Sequence, residues 1–130
     1  MTVFVDTSAM LALVNEDDSF HEAAVDTWRG ISRTRELHTT NAVVFEMIAL
    51  TQRRYGMGSV RAFFDNYLPS LDIEHVSADV FDAASSAFLR ANSRKLSLVD
   101  CISFQVMDRR GIRSAFTYDR HFREAGFSQL

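Results

Sequence analysis

The sequence predicts an α/β domain of three layers, a short central parallel sheet flanked by helices on both faces. Two observations predict it. Short apolar runs alternate along the chain with longer stretches of helical periodicity, the order that builds a parallel sheet covered on both sides. The first run, Thr2 to Val5, is apolar and β-branched with no polar face, as expected of a strand buried on both faces. With 130 residues, 47% of them hydrophobic, and eleven Phe, the chain suits one core and one domain over residues 1–130.

After that first strand, Thr7 to Val14 turns helical. Ser19-x-x-Glu22 reads as a capping box opening a helix with Phe20, Ala23, Ala24, Trp28 and Ile31 on one side. Leu37 to Thr39 is a second strand, and Asn41 to Tyr55 a helix ending near Gly56. Ser59 to Leu68 is a helix stopped by Pro69, with Val60, Phe63, Phe64 and Tyr67 on one face. That face serves as core or as part of a dimer interface. Asp72 to Val76 is a short strand, and Ala78 to Ala91 an amphipathic helix through Val80, Phe81, Ala84, Ala87 and Phe88. A helix from Val99 to Arg110, a strand from Arg113 to Thr117 and a helical turn from Arg120 to Glu124 follow, and any last edge strand after Gly126-Phe127 is very short.

Composition narrows the classes of function. No apolar run approaches the ~20 residues that cross a bilayer. The N-terminus shows no basic segment before a long apolar stretch, so a cytoplasmic location is expected. The lone Cys101 has no internal disulfide partner and no zinc-ligand spacing. The formal net charge of −3 does not by itself point to nucleic acid. Setting aside four candidate ligand acids leaves 14 cations against 17 − 4 = 13 anions, close to neutral.

Those four acids are the most informative residues. Asp6 closes the first strand, Glu46 interrupts the apolar run Val43 to Leu50, Asp100 follows Leu98-Val99, and Asp119 follows Ala115 to Tyr118. A carboxylate in an apolar setting is costly unless its charge is compensated. Converging carboxylates repel one another, so a divalent cation is the usual compensation, and hard oxygen ligands favour Mg²⁺ or Mn²⁺. Ligands of parallel sheets bind outside the carboxyl ends of the strands. Asp6 and Asp119 lie just past strand ends and Asp100 lies at a helix start facing the same rim, so three of the four point to one edge.

Each acid also has a purely structural reading. Asp6 and Asp119 suit N-caps, and Asp100 completes a capping box with Ser97. Glu46 resists such a reading: positions 42 to 50 are otherwise apolar all round, as in a buried helix. Arg53 and Arg54 lie two turns on, beyond the usual i, i+4 pairing. Thr7, Ser8, Thr117 and Ser103 carry hydroxyls placed to orient the acids or a bound water. Arg94, Lys95 and Arg120 flank them and are candidates for the phosphates of a substrate strand. His38 and His121 show no partner and read as surface or core, and Cys101 as a small buried hydrophobe.

The blocks Val3-Phe4-Val5-Asp6-Thr7-Ser8-Ala9, Thr40-Asn41-Ala42-Val43-Val44-Phe45-Glu46, Leu96-Ser97-Leu98-Val99-Asp100-Cys101-Ile102-Ser103-Phe104 and Phe116-Thr117-Tyr118-Asp119-Arg120-His121-Phe122 occur in the order found in PIN domains. The chain resembles that family over essentially its whole length, in particular the VapC-like toxin ribonucleases of VapBC toxin–antitoxin pairs. The resemblance implies a PIN-like fold, with Asp6, Glu46, Asp100 and Asp119 as the acidic quartet and Thr7, Ser8 and Thr117 as hydroxyls near it. It implies RNA cleavage with Mg²⁺ or Mn²⁺, leaving 5′-phosphate and 3′-hydroxyl ends, a homodimer, and an antitoxin whose tail enters the pocket. Asp6 and Asp100, helped by Asp119, would hold a cation for water activation, with Glu46 completing the set.

Other classes fit less well. A receiver domain would need paired acids after the first strand and a late lysine, but Asp6 stands alone and no lysine follows Lys95. A haloacid-dehalogenase-type phosphatase would need Asp-x-Asp where Asp6-Thr7-Ser8 stands. A stand-alone PIN protein with a role in RNA processing, or a silent interaction module, is the alternative within the fold.

Overall fold

The computed structural model describes residues 1–130. Its elements are β1 (Thr2–Val5), α1 (Thr7–Val14), α2 (His21–Thr34), β2 (Glu36–Thr40), α3 (Asn41–Tyr55), α4 (Met57–Asn66), a 3₁₀ turn (Leu68–Ser70), β3 (Asp72–Glu74), α5 (Ala78–Ala91), α6 (Leu98–Arg110), β4 (Ser114–Phe116), α7 (Arg120–Glu124) and β5 (Ser128–Gln129). Five parallel strands run in the order β3-β2-β1-β4-β5. The chain steps outward from β1 to β2 and β3, then jumps back to β4 and continues to β5. Right-handed crossovers therefore put α1 to α4 on one face and α5 to α7 on the other. This is the expected three-layer PIN-like arrangement.

The order reverses between β1 and β4, and that switch point positions the site. At a switch point the connections leave in opposite directions, opening a crevice at the carboxyl ends of the two strands. Here those ends carry Asp6 and Asp119.

β1 is the core strand: Val3, Phe4 and Val5 are buried, and Phe4 pairs in register with His38 on one side and Ala115 on the other. Phe4, Phe63, Phe116 and Phe122 are wholly buried, and Trp28 packs edge-on against Tyr67. Helix starts are capped by Thr40, Ser77 and Ser97, whose hydroxyls accept from Val43, Val80 and Asp100 amides. Gly111 ends α6 in the left-handed region, at φ +68°, where a side chain would be strained.

Several boundaries differ from expectation. Helix α2 begins at His21, and Ser19 makes no capping bond; the Phe20 amide instead donates to Asp18 Oδ1, because an Asp two residues earlier forms its own turn. Of the apolar face expected for α2, Ala24, Trp28 and Ile31 are buried, whereas Phe20 and Ala23 are exposed. Strand β3 stops at Glu74, since the Val76 amide leaves the sheet to donate to Asn41 Oδ1. In α4, Val60 and Phe63 enter the core, while Phe64 is exposed. The β5 edge strand is two residues long. No helix is long and apolar enough to cross a membrane.

Candidate active site

Asp6 is the first residue beyond β1. Its amide donates to the Phe116 carbonyl at 3.1 Å, so the β1–β4 ladder delivers the side chain to the rim. Oδ2 accepts from Ser8 Oγ at 2.8 Å, from Thr117 Oγ1 at 2.9 Å and from the Ser8 amide at 3.4 Å. These bonds all fall on one oxygen; no protein group bonds Oδ1. The hydroxyls are themselves held, Ser8 Oγ accepting from the Tyr118 amide and Thr117 Oγ1 from the Asp119 amide. Burial lifts the carboxyl from its ordinary 3.8 to about 6; the bonds from Ser8 and Thr117 oppose the rise, and the charge of Asp100 adds to it.

Asp100 is the third residue of α6. It makes a reciprocal capping box with Ser97: its amide donates to Ser97 Oγ at 3.0 Å, and its Oδ2 accepts from the Ser97 amide at 3.1 Å. Burial raises this carboxyl too; the Ser97 amide bond opposes that, Asp119 raises it further, and His121 lowers it. Asp119 caps α7, its Oδ1 accepting from the His121 amide at 2.9 Å. His121 Nδ1 lies 2.8 Å from the same oxygen, but misaligned for a hydrogen bond. One ligand atom each from Asp100, Asp119 and His121 fall within 4.8 Å of one another.

The cleft around these groups encloses about 330 Å³ and is lined by Asp6, Thr7, Ser8, Glu46, Asp100 and Asp119, with Arg54 and Lys95 as its basic residues. Helices α1, α6 and α7 all start here, so their positive ends favour negative charge at the rim. Asp6, Asp100 and Asp119 therefore each cap or open a helix, and each also faces the cleft.

The residues fit a divalent cation. Asp6, Glu46 and Asp100 form no ion pair, and the sole ionic neighbour of Asp119 is His121. Buried carboxylates with raised pKa values and no basic partner are the charge deficit that a hard cation cancels. Thr7 Oγ1 and His121 Nδ1 are buried polar atoms without a protein hydrogen bond, both at this site.

The family model describing the PIN domain matches residues 3–128. The chain belongs to the PIN-domain family. It is 36% identical over 129 residues to the 23S rRNA-specific endonuclease VapC20 of Mycobacterium tuberculosis, covering 98% of this chain and 97% of that protein. The crystal structure of M. tuberculosis VapC20, described as a sarcin–ricin loop cleaving toxin, superposes with a TM-score of 0.87 at 35% identity, covering 98% of each chain. VapBC2 of Rickettsia felis, bound to promoter DNA, has a TM-score of 0.74 at 11% identity and covers 100% of this chain and 98% of its own. At that identity the likeness concerns the fold alone.

In this PIN domain, the four acids expected from the sequence line one cleft, with Thr7 and Ser8 beside them and Thr117 bonded to Asp6. Other expectations are corrected. Glu46 is half-buried on a helix that is not buried all round: Phe45 beside it is 64% exposed. Ser103 does not support Asp100; its hydroxyl donates one turn back to the Val99 carbonyl. Of the three flanking cations, Lys95 lines the cleft, Arg94 is exposed outside its lining, and Arg120 pairs with Glu124 at 3.6 Å.

Arg54 replaces Arg94 and Arg120 as the second basic group of the cleft. Two turns from Glu46, it lies on the same side of α3; that spacing, which excludes an ion pair, was the available signal. His121 belongs to the acid cluster, two residues after a capping Asp. His38 is buried and does have partners, Asp72 on Nδ1 at 3.1 Å and Glu74 on Nε2 at 2.9 Å, which takes it out of the catalytic candidates. Cys101 is buried, and its thiol is raised by desolvation and by the charge of Asp100, opposite to what a nucleophile needs.

Proposed function

We propose that this VapC-like ribonuclease hydrolyses RNA phosphodiester bonds with Mg²⁺, or Mn²⁺ in its place, held by Asp6, Asp100 and Asp119, with Glu46 and His121 completing the donor set. The observation that carries the reading is the convergence of buried, unpaired carboxylates on one cleft, with Asp6 Oδ1 left free by bonds that all fall on Oδ2. Bound there, the cation supplies Lewis acidity to activate water and charge to offset the phosphate. Ser8 and Thr117 hold Asp6 in one rotamer and favour its ionised form, which is the ligating form. Lys95 and Arg54, which line the cleft, would hold phosphates of the bound strand. Cys101, buried and with its thiol raised, would not act as a nucleophile.

The substrate proposed is 23S rRNA at or near the sarcin–ricin loop. Identity of 36% to VapC20 over nearly the full length of both chains supports it. As a toxin, the protein would be paired with an antitoxin. We also propose a homodimer, supported by the apolar groove that exposed Phe45 and Phe81 form with Ala42, Val76, Ala78 and Ile102. A cytoplasmic site of action follows from a ribosomal RNA substrate.

The test is cleavage of an end-labelled 23S rRNA fragment containing that loop, with Mg²⁺, with Mn²⁺ and with chelator, beside Asp100→Asn. Cutting by the metal-supplied wild type alone is the expected result. Equal cutting in chelator, or by Asp100→Asn, would overturn the mechanism. Cutting of other structured RNAs but not this one would overturn the substrate.

A further inference from the structure

Beside the cleft stands an aromatic pair that the catalytic scheme does not use. Phe20 and Tyr118 stack with ring centroids 4.4 Å apart and planes 9° from parallel. Phe20 is 48% exposed and lies outside the hydrophobic core. Stacked on Tyr118, the half-exposed ring remains open to solvent on part of its surface.

The backbone under both rings is held in place. The Phe20 amide donates to Asp18 Oδ1 at 2.8 Å, and its carbonyl accepts from Ala24 at 2.8 Å. Tyr118 packs against the core, edge-on to Phe116, and its amide donates to Ser8 Oγ at 2.9 Å. Tyr118 sits between Thr117, which bonds Asp6, and Asp119. The same backbone thus carries Asp119 and one ring of the aromatic pair.

Resting on the ribonuclease reading, we propose that the Phe20–Tyr118 pair is a nucleobase-stacking subsite, holding one unpaired base of the RNA adjacent to the scissile phosphate. Any base offers a π-face, and rigid aromatic rings are how proteins hold bases splayed from single strands and loops. Charge separates base from backbone. Lys95 and Arg54 line the cleft, where they would draw the phosphates. A strand with its phosphates at the cleft would turn a base outward onto Phe20. The stack is preorganised, so little ordering cost opposes binding.

The test uses the full chain and the RNA fragment that the wild type cuts. Phe20→Ala should raise KM about tenfold, the scale of one lost stacked base, with kcat changed less than about twofold. Phe20→Trp should restore KM and Phe20→Leu should not, since leucine keeps the apolar contact without the π-face. An abasic nucleotide scanned through the fragment should raise the wild-type KM by the same factor at one position, where Phe20→Ala has no further effect. Unchanged KM in Phe20→Ala, full function in Phe20→Leu, or no position sharing its effect with the variant would overturn the subsite; the ring would then serve an apolar protein partner or none. A wild type that cuts no RNA would overturn the ribonuclease reading and the subsite with it.

Discussion

Thr117 donates its hydroxyl proton to Asp6 Oδ2 at 2.9 Å, joining residues 111 positions apart at the ends of β4 and β1. The same hydroxyl accepts from the Asp119 amide at 3.0 Å, so one side chain positions two acids of the cleft. Thr117→Val keeps the shape and removes both bonds. Because the bond lowers the Asp6 pKa, its loss should move that pKa above about 6 and shift the acid limb of the pH–rate profile upward. Stability should fall by about 1–3 kcal/mol, the cost of stranding a polar group. Rate profiles and urea unfolding of the two proteins test this; an unshifted acid limb counts against it.

The pH dependence of metal-free stability has a definite sign at Asp6. Its folded pKa of about 6 exceeds the ordinary 3.8, so the folded state binds the proton more tightly. The contribution of Asp6 to stability is therefore greatest below 3.8 and is lost as pH rises through about 6. Asp6→Asn removes the titration while keeping the shape. Measured in chelator, the stability of the variant relative to wild type should improve by about 2.4 kcal/mol between pH 4 and pH 7.5. A difference that stays flat across that range would refute the assignment.

Mn²⁺ should raise the melting temperature of the wild type, by an amount that grows with its concentration over Kd. Binding competes with protons on Asp6 and Asp100, so affinity should climb from pH 5 to pH 7. Asp100→Asn should weaken Mn²⁺ by more than about 100-fold, beyond the loss typical of an outer-sphere partner. Calorimetric titration of both proteins at the two pH values decides it, and equal affinities would exclude Asp100 as a ligand.

Phe45 and Phe81 are the exposed aromatic rings of the α3–α5 groove. If that groove joins two copies, Phe45→Glu should give a monomer by light scattering at micromolar concentration. Its melting, read at a concentration where the wild type is also monomeric, should change by less than about 0.5 kcal/mol, because the side chain lies outside the core. A dimer that survives the substitution places the interface elsewhere.

Much of the fold was legible because its signals are local. The apolar Thr2–Val5 run, the helical periodicity of residues 78–91 and the Ser97–Asp100 capping box depend on neighbours within a turn or two, and each occurs where the spacing placed it. That Asp6 and Asp119 would meet at one rim was legible because a parallel sheet directs its carboxyl ends to one edge. What was misread depends on partners distant in sequence. Phe20 looked like a core residue by spacing, yet its ring stacks on Tyr118. His38 looked unpartnered because Asp72 and Glu74 come from the neighbouring strand, 34 and 36 residues on.

By itself the sequence determined which residues are acidic, which runs are strands, and that four carboxylates end or interrupt apolar segments. Periodicity and charge are properties of the chain alone. Tertiary structure decided the rest. It brought His121 into the acid cluster, placed Arg54 in the cleft in preference to Arg94 and Arg120, turned Ser103 toward its own helix, and pinned Asp6 through Ser8 and Thr117. The physical reason is that a side chain's partners are set by strand order and register. These follow from how the whole core packs, and no window of neighbouring residues contains them.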